Sequence, residues 1–98
     1  MSAPPLAGRR ALVTGSTGGI GLAVAIALAE AGCAVVLHGL ATAEEAAPAL
    51  IACGAGAVYH RADLADHGAI AALISATGAP DILVNNAGIA HVGNALTT

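Results

Sequence analysis

Short apolar runs alternate with longer alanine-rich stretches along the chain, and this alternation constrains the fold more than any other feature. Four runs have the length and apolar content of buried strands, and they occupy residues 11–14, 34–37, 57–61 and 82–84. Three stretches between them have the pattern of helices and cover residues 20–31, 42–53 and 66–77. The sequence therefore predicts strands and helices in strict alternation.

Such alternation predicts an α/β fold with a doubly wound parallel sheet of Rossmann type. A parallel connection through a helix is almost always right-handed, which places the second and third strands on one side of the first strand and the fourth on the other. We therefore expect the order β-α-β-α-β-α-β along the chain and 3-2-1-4 across the sheet. This is the N-terminal half of a full doubly wound sheet.

The helix boundaries carry their own signals. Thr42 followed by Glu45 fits a capping box at the start of the second helix. Pro48 is expected to kink that helix or to delay its start, because proline cannot donate a backbone hydrogen bond. Asp66 can cap the third helix, and Gly78 is expected to end it. In the first helix the apolar residues at helical spacing are Ile20, Val24, Ala27, Leu28 and Ala31.

The composition argues against nucleic-acid and membrane partners. The formal net charge is -3, and the only fixed cations are Arg9, Arg10 and Arg61, so no basic patch can neutralise phosphates. Tyr59 is the one aromatic residue, which leaves no platform for stacking bases. The apolar stretch 20–29 is too short to span a bilayer, which needs roughly 20 apolar residues. Because the N-terminus lacks the pattern of a secretory signal, we expect a cytoplasmic protein.

Cysteine and histidine usage indicates neither a disulfide framework nor a metal site. Cys33 and Cys53 are expected to be reduced thiols that pack as small hydrophobic side chains. The four histidines lack ligand spacing of the HExxH kind, so no metal site is expected.

The segment VTGSTGGIGL, residues 13–22, connects the first strand to the first helix and is the strongest functional signal in the chain. In a doubly wound sheet, ligands bind at the carboxyl ends of the strands, where this loop lies. A helix N-terminus offers unpaired N–H groups to a pyrophosphate, and glycines let the backbone approach it. A Walker-type phosphate loop is excluded because the chain has no lysine. The pattern G-x-G-x-x-G fits poorly, since starting it at Gly19 places Val24 at the third glycine.

A different spacing fits the loop, namely Thr14-Gly15-x-x-x-Gly19-Ile20-Gly21. It resembles the T-G-x-x-x-G-I-G signature of the short-chain dehydrogenase/reductase family. Asp63-Leu64 follows the third strand, and Asn85-Asn86-Ala87-Gly88 follows the fourth, as the family's Asp-aliphatic pair and N-N-A-G motif do. The three motifs occur in the family's order, each at the end of a predicted strand, and the resemblance extends from about Gly8 onward.

The resemblance implies a nicotinamide dinucleotide as cofactor and assigns residues to its parts. The pyrophosphate and adenosine side would be lined by Gly15, Ser16, Thr17, Gly19, Ile20 and Gly21. The adenine would be held by Asp63 and Leu64, and the nicotinamide ribose would lie beside Asn86, Ala87 and Gly88.

The end of the second strand favours NAD over NADP. An acidic residue there binds the ribose 2′-hydroxyl of NAD, whereas a basic residue accepts the 2′-phosphate of NADP. The segment 38–41, His-Gly-Leu-Ala, has neither, and Gly18 occupies the loop position where NADP-binding members carry an arginine. With His38 expected to be neutral and satisfied, a 2′-phosphate would find no cation, so NAD is the expected cofactor.

Within the family, the stretches ALVTGSTGGIGL, VVLHGL and DILVNNAGIAHV resemble the D-3-hydroxybutyrate dehydrogenase group. That resemblance implies hydride transfer between the cofactor and a small hydroxy or keto substrate such as 3-hydroxybutyrate. Ala90 stands where that group carries a glutamine, which leaves the substrate open. The alternative is a member like the 3-oxoacyl-carrier-protein reductases.

The family's catalytic groups are not found in these 98 residues. Its reaction uses a tyrosine as general acid/base with a lysine four residues later, because an unperturbed phenol has a pKa of about 10. Tyr59 has Asp63 at that spacing and is expected to be a core or sheet-face residue. We therefore expect residues 1–98 to be a dinucleotide-binding domain truncated before the catalytic half, with no catalytic residue and no turnover of its own. A non-catalytic nucleotide-binding fragment remains the alternative, and a completed chain is expected to be a homo-oligomer.

Overall fold

The computed structural model describes residues 4–63 and 67–86. Strands and helices alternate as expected, and their bounds are β1 Arg10–Val13, α1 Gly19–Glu30, β2 Ala34–Gly39, α2 Ala43–Cys53, β3 Val58–Arg61, α3 His67–Thr77 and β4 Ile82–Val84. The predicted elements are thus confirmed, with boundaries that shift by one or two residues. Asp66, the expected cap of α3, lies outside the described residues.

The described strands form one parallel sheet in the order β3-β2-β1-β4, which confirms the predicted doubly wound half. At the carboxyl end of β1, Val13 lies opposite Leu37 of β2 and Val84 of β4. Gly39 at the end of β2 lies opposite Arg61 of β3. The carboxyl ends of all four strands therefore lie at the same edge of the sheet, which we call the carboxyl edge. The glycine loop that follows β1 lies at this edge.

The core lies mainly on one face of the sheet, between the strands and the first two helices. Its buried residues come from β1, β2, the turn before β2 and the helices α1 and α2, and are Ala11, Val13, Ala25, Cys33, Val35, Leu37 and Ala49. Full burial of a side chain such as Leu37 contributes about 1.5–3 kcal/mol to stability. On the opposite face, Leu12 and Val36 pack against Leu73 of α3. Helices thus contact both faces of the sheet, as a doubly wound fold requires.

Helix α1 packs through its small residues. Gly21 and Ala25 are buried, whereas Ile20 is 67% exposed. Helical spacing therefore marks the buried face of this helix only in part, since Leu28 packs against the core whereas Ile20 and Ala27 are exposed. The reason is that α1 is apolar on every side, so its period does not choose a face, while glycine and alanine let the helix axis approach the sheet closely.

Helix α2 begins with the predicted capping box. The Thr42 hydroxyl accepts a hydrogen bond from the Glu45 N–H at 3.2 Å, and Glu45 Oε1 accepts one from the Thr42 N–H at 2.9 Å. The helix starts at Ala43 and continues through Pro48, so the delayed start that proline could have caused does not occur. Proline has no N–H, so the Glu44 carbonyl lacks the hydrogen bond that residue 48 would otherwise donate. Both Glu44 and Pro48 are exposed, and water can satisfy that carbonyl.

Both cysteines are free thiols, Cys33 buried and Cys53 partly buried. Burial raises the pKa of the Cys53 thiol and so favours its neutral form. Across the described residues, no helix has the length and apolar character needed to cross a membrane.

Removal of the α2 cap should lower stability measurably. We expect Thr42→Ala to reduce the free energy of unfolding by about 1 kcal/mol, because the Glu45 N–H loses its acceptor. Thr42→Ser keeps a hydroxyl at the same place and should cost far less. Urea denaturation of both variants at neutral pH measures the difference, and equal losses in the two variants would contradict the role of the hydroxyl.

Glu45 gives the same cap a pH dependence. Hydrogen bonds from the backbone and the side chain of Thr42 lower the pKa of the Glu45 carboxyl in the folded chain. Its stabilising contribution is therefore complete above the unfolded-state pKa and is lost as the pH falls through the lower folded-state pKa. Urea midpoints measured through the acidic range should fall less steeply in Glu45→Gln than in the parent chain.

Candidate functional site at the carboxyl edge of the sheet

The loop from Thr14 to Gly18 leaves β1 and delivers the chain to the N-terminus of α1. The N-cap of α1 is Gly18, whose extended backbone (φ -167°) carries no side chain that could accept from the first-turn N–H groups. Gly18, Gly19 and Ile20 are exposed, and the first turn has no acidic residue. The positive end of the helix dipole therefore faces solvent at the loop, an arrangement that suits an anionic ligand.

Two glycines in the first turn of α1 differ in what their surroundings allow. Gly19 has a φ of +59°, in the left-handed region that side chains disfavour, but space around it is open. Gly21 has no room for a side chain, because a Cβ there would overlap the Gly15 carbonyl and the Asn86 amide nitrogen. The first helical turn is thus packed directly on the backbone of the loop.

Ser16 points into the protein. It is fully buried, and its hydroxyl donates to the Val13 carbonyl at 2.7 Å and accepts from the His38 N–H at 2.9 Å. Its own N–H donates to the His38 carbonyl at 2.8 Å. The polar groups of Ser16 therefore tie the loop to β2.

His38 connects the loop with the end of β3. Only 3% of this residue is exposed. Its Nδ1 accepts the Gly15 N–H at 3.0 Å, and its Nε2 lies 2.7 Å from the Ala62 carbonyl oxygen. The sequence predicted a neutral, satisfied histidine at position 38 rather than a cation for a phosphate. The sequence does place a polar side chain near the end of a buried strand, but it does not identify the partners of that side chain.

The fourth strand holds the loop from the other side. The Thr14 N–H donates to the Val84 carbonyl at 3.0 Å. Beyond the strand, the Asn86 amide Nδ2 donates to the Gly15 carbonyl at 2.8 Å. One residue of the N-N-A-G motif therefore contacts the glycine loop directly.

The structure brings most of the expected site residues to one edge. Gly15, Thr17 and Asn86 are half-buried, Ser16 and Gly21 are buried, and Gly19, Ile20 and Asp63 are exposed. Leu64, Ala87 and Gly88 lie outside the described residues, so the adenine and nicotinamide sides of the expected site are described only in part.

One of the three fixed cations, Arg61, lies beside the end of β2, a place that the sequence did not predict for it. Arg61 of β3 donates from Nε to the Leu40 carbonyl at 2.9 Å. Its positive charge also contributes to the lowered pKa of Glu45 at the start of α2. The guanidinium is thus already engaged by a carbonyl and lies within the field of a carboxylate. This location could not be read from the residues that follow β2, because Arg61 belongs to β3 and lies opposite Gly39 through the pairing of the two strands.

Tyr59 is a structural residue, as expected. Its hydroxyl donates to the Ala41 carbonyl at 2.6 Å, and its ring packs against the core beside β2. Burial raises the pKa of Tyr59, an effect that the nearby Arg61 partly opposes. A raised pKa is the opposite of what a tyrosine general acid/base needs near neutral pH.

The contact between Gly21 and the loop predicts a sharp contrast between two glycines. Gly21→Ala should destabilise the chain by roughly 3 kcal/mol, since the new methyl group meets backbone rather than a flexible side chain. Gly18→Ala has open space and an extended backbone and should cost about 0.5 kcal/mol. Urea unfolding measures the free energy of unfolding of both variants, provided that the dependence on urea concentration has the same slope in each. Similar losses for the two variants would contradict the close packing of Gly21 on the Gly15 carbonyl.

Comparison with known proteins finds sequence similarity to dehydrogenases. A family model described as short chain dehydrogenase matches residues 9–98. The D-beta-hydroxybutyrate dehydrogenase of Cupriavidus necator is 44% identical over 93 residues, and the match covers 89% of this chain and 36% of that protein. The cis-4-hydroxycyclohexanecarboxylate dehydrogenase of Sinomonas cyclohexanicum is 45% identical over 88 residues, covering 85% of this chain and 35% of that protein.

A solved structure shares both fold and sequence. The 3-oxoacyl (acyl-carrier-protein) reductase of Agrobacterium tumefaciens with NADP bound superposes with a TM-score of 0.70 at 42% identity, covering 83% of this chain and 33% of that one. The chain spans about a third of the length of the curated relatives it matches. The family model covers nearly the whole chain, and the strand order agrees with it. The chain therefore belongs to the short-chain dehydrogenase family.

Proposed function

We propose that these residues form the NAD-binding part of a short-chain dehydrogenase that transfers a hydride between the cofactor and a small hydroxy or keto substrate. The observation that carries the proposal is the N-terminus of α1, which is exposed, has no side-chain cap and follows a loop tied to both neighbouring strands. A loop that is ordered in advance can present N–H groups to a pyrophosphate with little loss of entropy on binding.

The residues take different parts in this proposal. The N–H groups of the first turn, at Gly19 and Ile20, would face the phosphates. Thr17, which lies beside Gly39 at the end of β2, would face the adenosine ribose. Gly15, Ser16 and Gly21 are proposed to shape the loop. Gly21 lets the helix pack on the Gly15 carbonyl, and the Ser16 hydroxyl is directed into the protein rather than toward a ligand. Asp63 with Leu64 is proposed for the adenine, and Asn86 with Ala87 and Gly88 for the nicotinamide ribose.

NAD is the proposed form of the cofactor. Neither Gly39 at the end of β2 nor Gly18 in the loop can offer a cation to a 2′-phosphate. Arg61 is the one fixed cation near the end of β2 among the described residues, but it is hydrogen-bonded to Leu40 and influenced by Glu45. The relative from Agrobacterium tumefaciens binds NADP, so the choice between the two cofactors is a central part of the test.

The proposed substrate is 3-hydroxybutyrate or a similar small hydroxy acid, after the 44% identical relative from Cupriavidus necator. A 3-oxoacyl-carrier-protein reductase is the second candidate, since a reductase of that kind is 42% identical. A cytoplasmic location belongs to the same proposal, as does homo-oligomerisation of a chain completed to the length of its relatives. Bound nicotinamide would supply the hydride acceptor or donor, while the residues described here bind and orient the dinucleotide.

Binding of the dinucleotide is tested by calorimetry on the 98-residue chain. NAD should bind, and Gly19→Asp should abolish the signal because a carboxylate at the helix N-terminus repels the pyrophosphate. Gly19→Asn is the matched control, since asparagine tolerates the same left-handed backbone without the charge. It should retain most of the NAD affinity.

The same titrations compare NAD with NADP. We expect the parent chain to bind NAD more tightly than NADP. Tighter binding of NADP would overturn the cofactor assignment, and heats absent for both dinucleotides would overturn the nucleotide site itself.

The 98-residue chain alone should not catalyse the reaction. It contains no lysine, so no tyrosine in it has the partner that would lower its pKa. Incubation of purified chain with NAD and 3-hydroxybutyrate should give no increase in absorbance from reduced cofactor. Turnover above the rate of buffer alone would contradict the proposed division between binding and chemistry.

A further inference from the structure

We propose that His38 is a positioning residue for the nucleotide: a neutral imidazole, protonated on Nε2, that fixes the phosphate loop and the end of β3 relative to each other. The proposal rests on the nucleotide site proposed above and adds a residue that belongs to none of the three cofactor-binding motifs, namely the glycine loop, the Asp63-Leu64 pair and the segment 85–88. It starts from two hydrogen bonds of one buried side chain, to Gly15 at 3.0 Å and to Ala62 at 2.7 Å.

The partners of His38 determine where its proton lies. The Ala62 carbonyl can only accept, so Nε2 must carry a hydrogen. The Gly15 N–H can only donate, so Nδ1 must present a lone pair. A neutral imidazole with its hydrogen on Nε2 satisfies both partners. The other tautomer mismatches both contacts, since two donors face each other at Gly15 and two acceptors at Ala62, and the imidazolium leaves two facing donors at Gly15.

The two contacts join opposite sides of the proposed site. Gly15 is the first glycine of the loop, and its N–H is turned inward to His38, away from any ligand. Ala62 directly precedes Asp63, the residue proposed for the adenine. The Ala62 N–H also donates to the Gly39 carbonyl at 3.1 Å, so the peptide groups on both sides of Ala62 are held against β2. The side chain of His38 thus sets the spacing between the phosphate and adenine sides.

The tautomer can be observed without any substitution. In the 98-residue chain labelled with ¹⁵N at histidine, long-range ¹H–¹⁵N correlation at neutral pH should show the His38 hydrogen on Nε2. A hydrogen on Nδ1, or a doubly protonated ring, would overturn the proposal. This readout does not depend on cofactor binding, so it decides the position of His38 even if the nucleotide site fails its own test.

Two substitutions separate positioning from general stability. His38→Asn can still accept the Gly15 N–H through its amide oxygen but cannot reach Ala62, whereas His38→Phe fills the space and accepts nothing. We expect His38→Phe to weaken NAD binding about tenfold or more, which corresponds to about 1.4 kcal/mol. His38→Asn should rescue a large part of that loss.

Calorimetry with NAD measures the affinities, and urea unfolding of the same samples measures stability. Equal NAD affinity in His38→Phe and the parent chain would overturn the positioning role. A loss in His38→Asn as large as in His38→Phe would also overturn it, because the contact to Gly15 would then be without effect. If His38→Phe does not fold, the comparison between His38→Asn and the parent, together with the tautomer of the parent, decides the question.

Discussion

The structure of the site depends on the backbone of Gly15, which is held at both of its polar groups. Its N–H donates to His38 of β2, and its carbonyl accepts from Asn86 beyond β4. The first turn of α1 packs on the same residue, because Gly21 leaves no space above the Gly15 carbonyl. Since strands on both sides of β1 fix this one residue, the loop has a defined shape without a ligand. Preorganisation of this kind reduces the conformational entropy that the protein loses when a ligand binds.

The order of strands and helices could be predicted because each signal was local or followed from chain geometry. Strand and helix periods, the capping box at Thr42 and the handedness of parallel connections need no knowledge of distant contacts. The buried face of α1 could not be predicted, since that helix is apolar all round and the choice depends on which small residues fit the sheet. Pro48 was tolerated because the backbone group it disrupts lies at the surface.

For the site, too, the sequence predicted which residues lie near one another but not their contacts. Spacing identified the glycines of the loop and the polar residues after β3 and β4, but not the direction in which each side chain points. Ser16 turns inward because its hydroxyl finds an acceptor in the Val13 carbonyl and a donor in the His38 N–H, and His38 lies 22 positions along the chain. Arg61 reaches the end of β2 from the neighbouring strand. Such lateral contacts require the register of the sheet, which the sequence pattern does not contain.

Amide hydrogen exchange, read residue by residue by NMR, tests the central claim most directly. In the free chain the Gly15 and Ser16 amides should be protected to a degree comparable with the core strands, because both donate to β2. The Gly19 and Ile20 amides should exchange rapidly and become protected when NAD is added. Rapid exchange at Gly15 and Ser16 in the free chain, or no change at Gly19 and Ile20 with NAD, would contradict a loop built in advance to receive a dinucleotide.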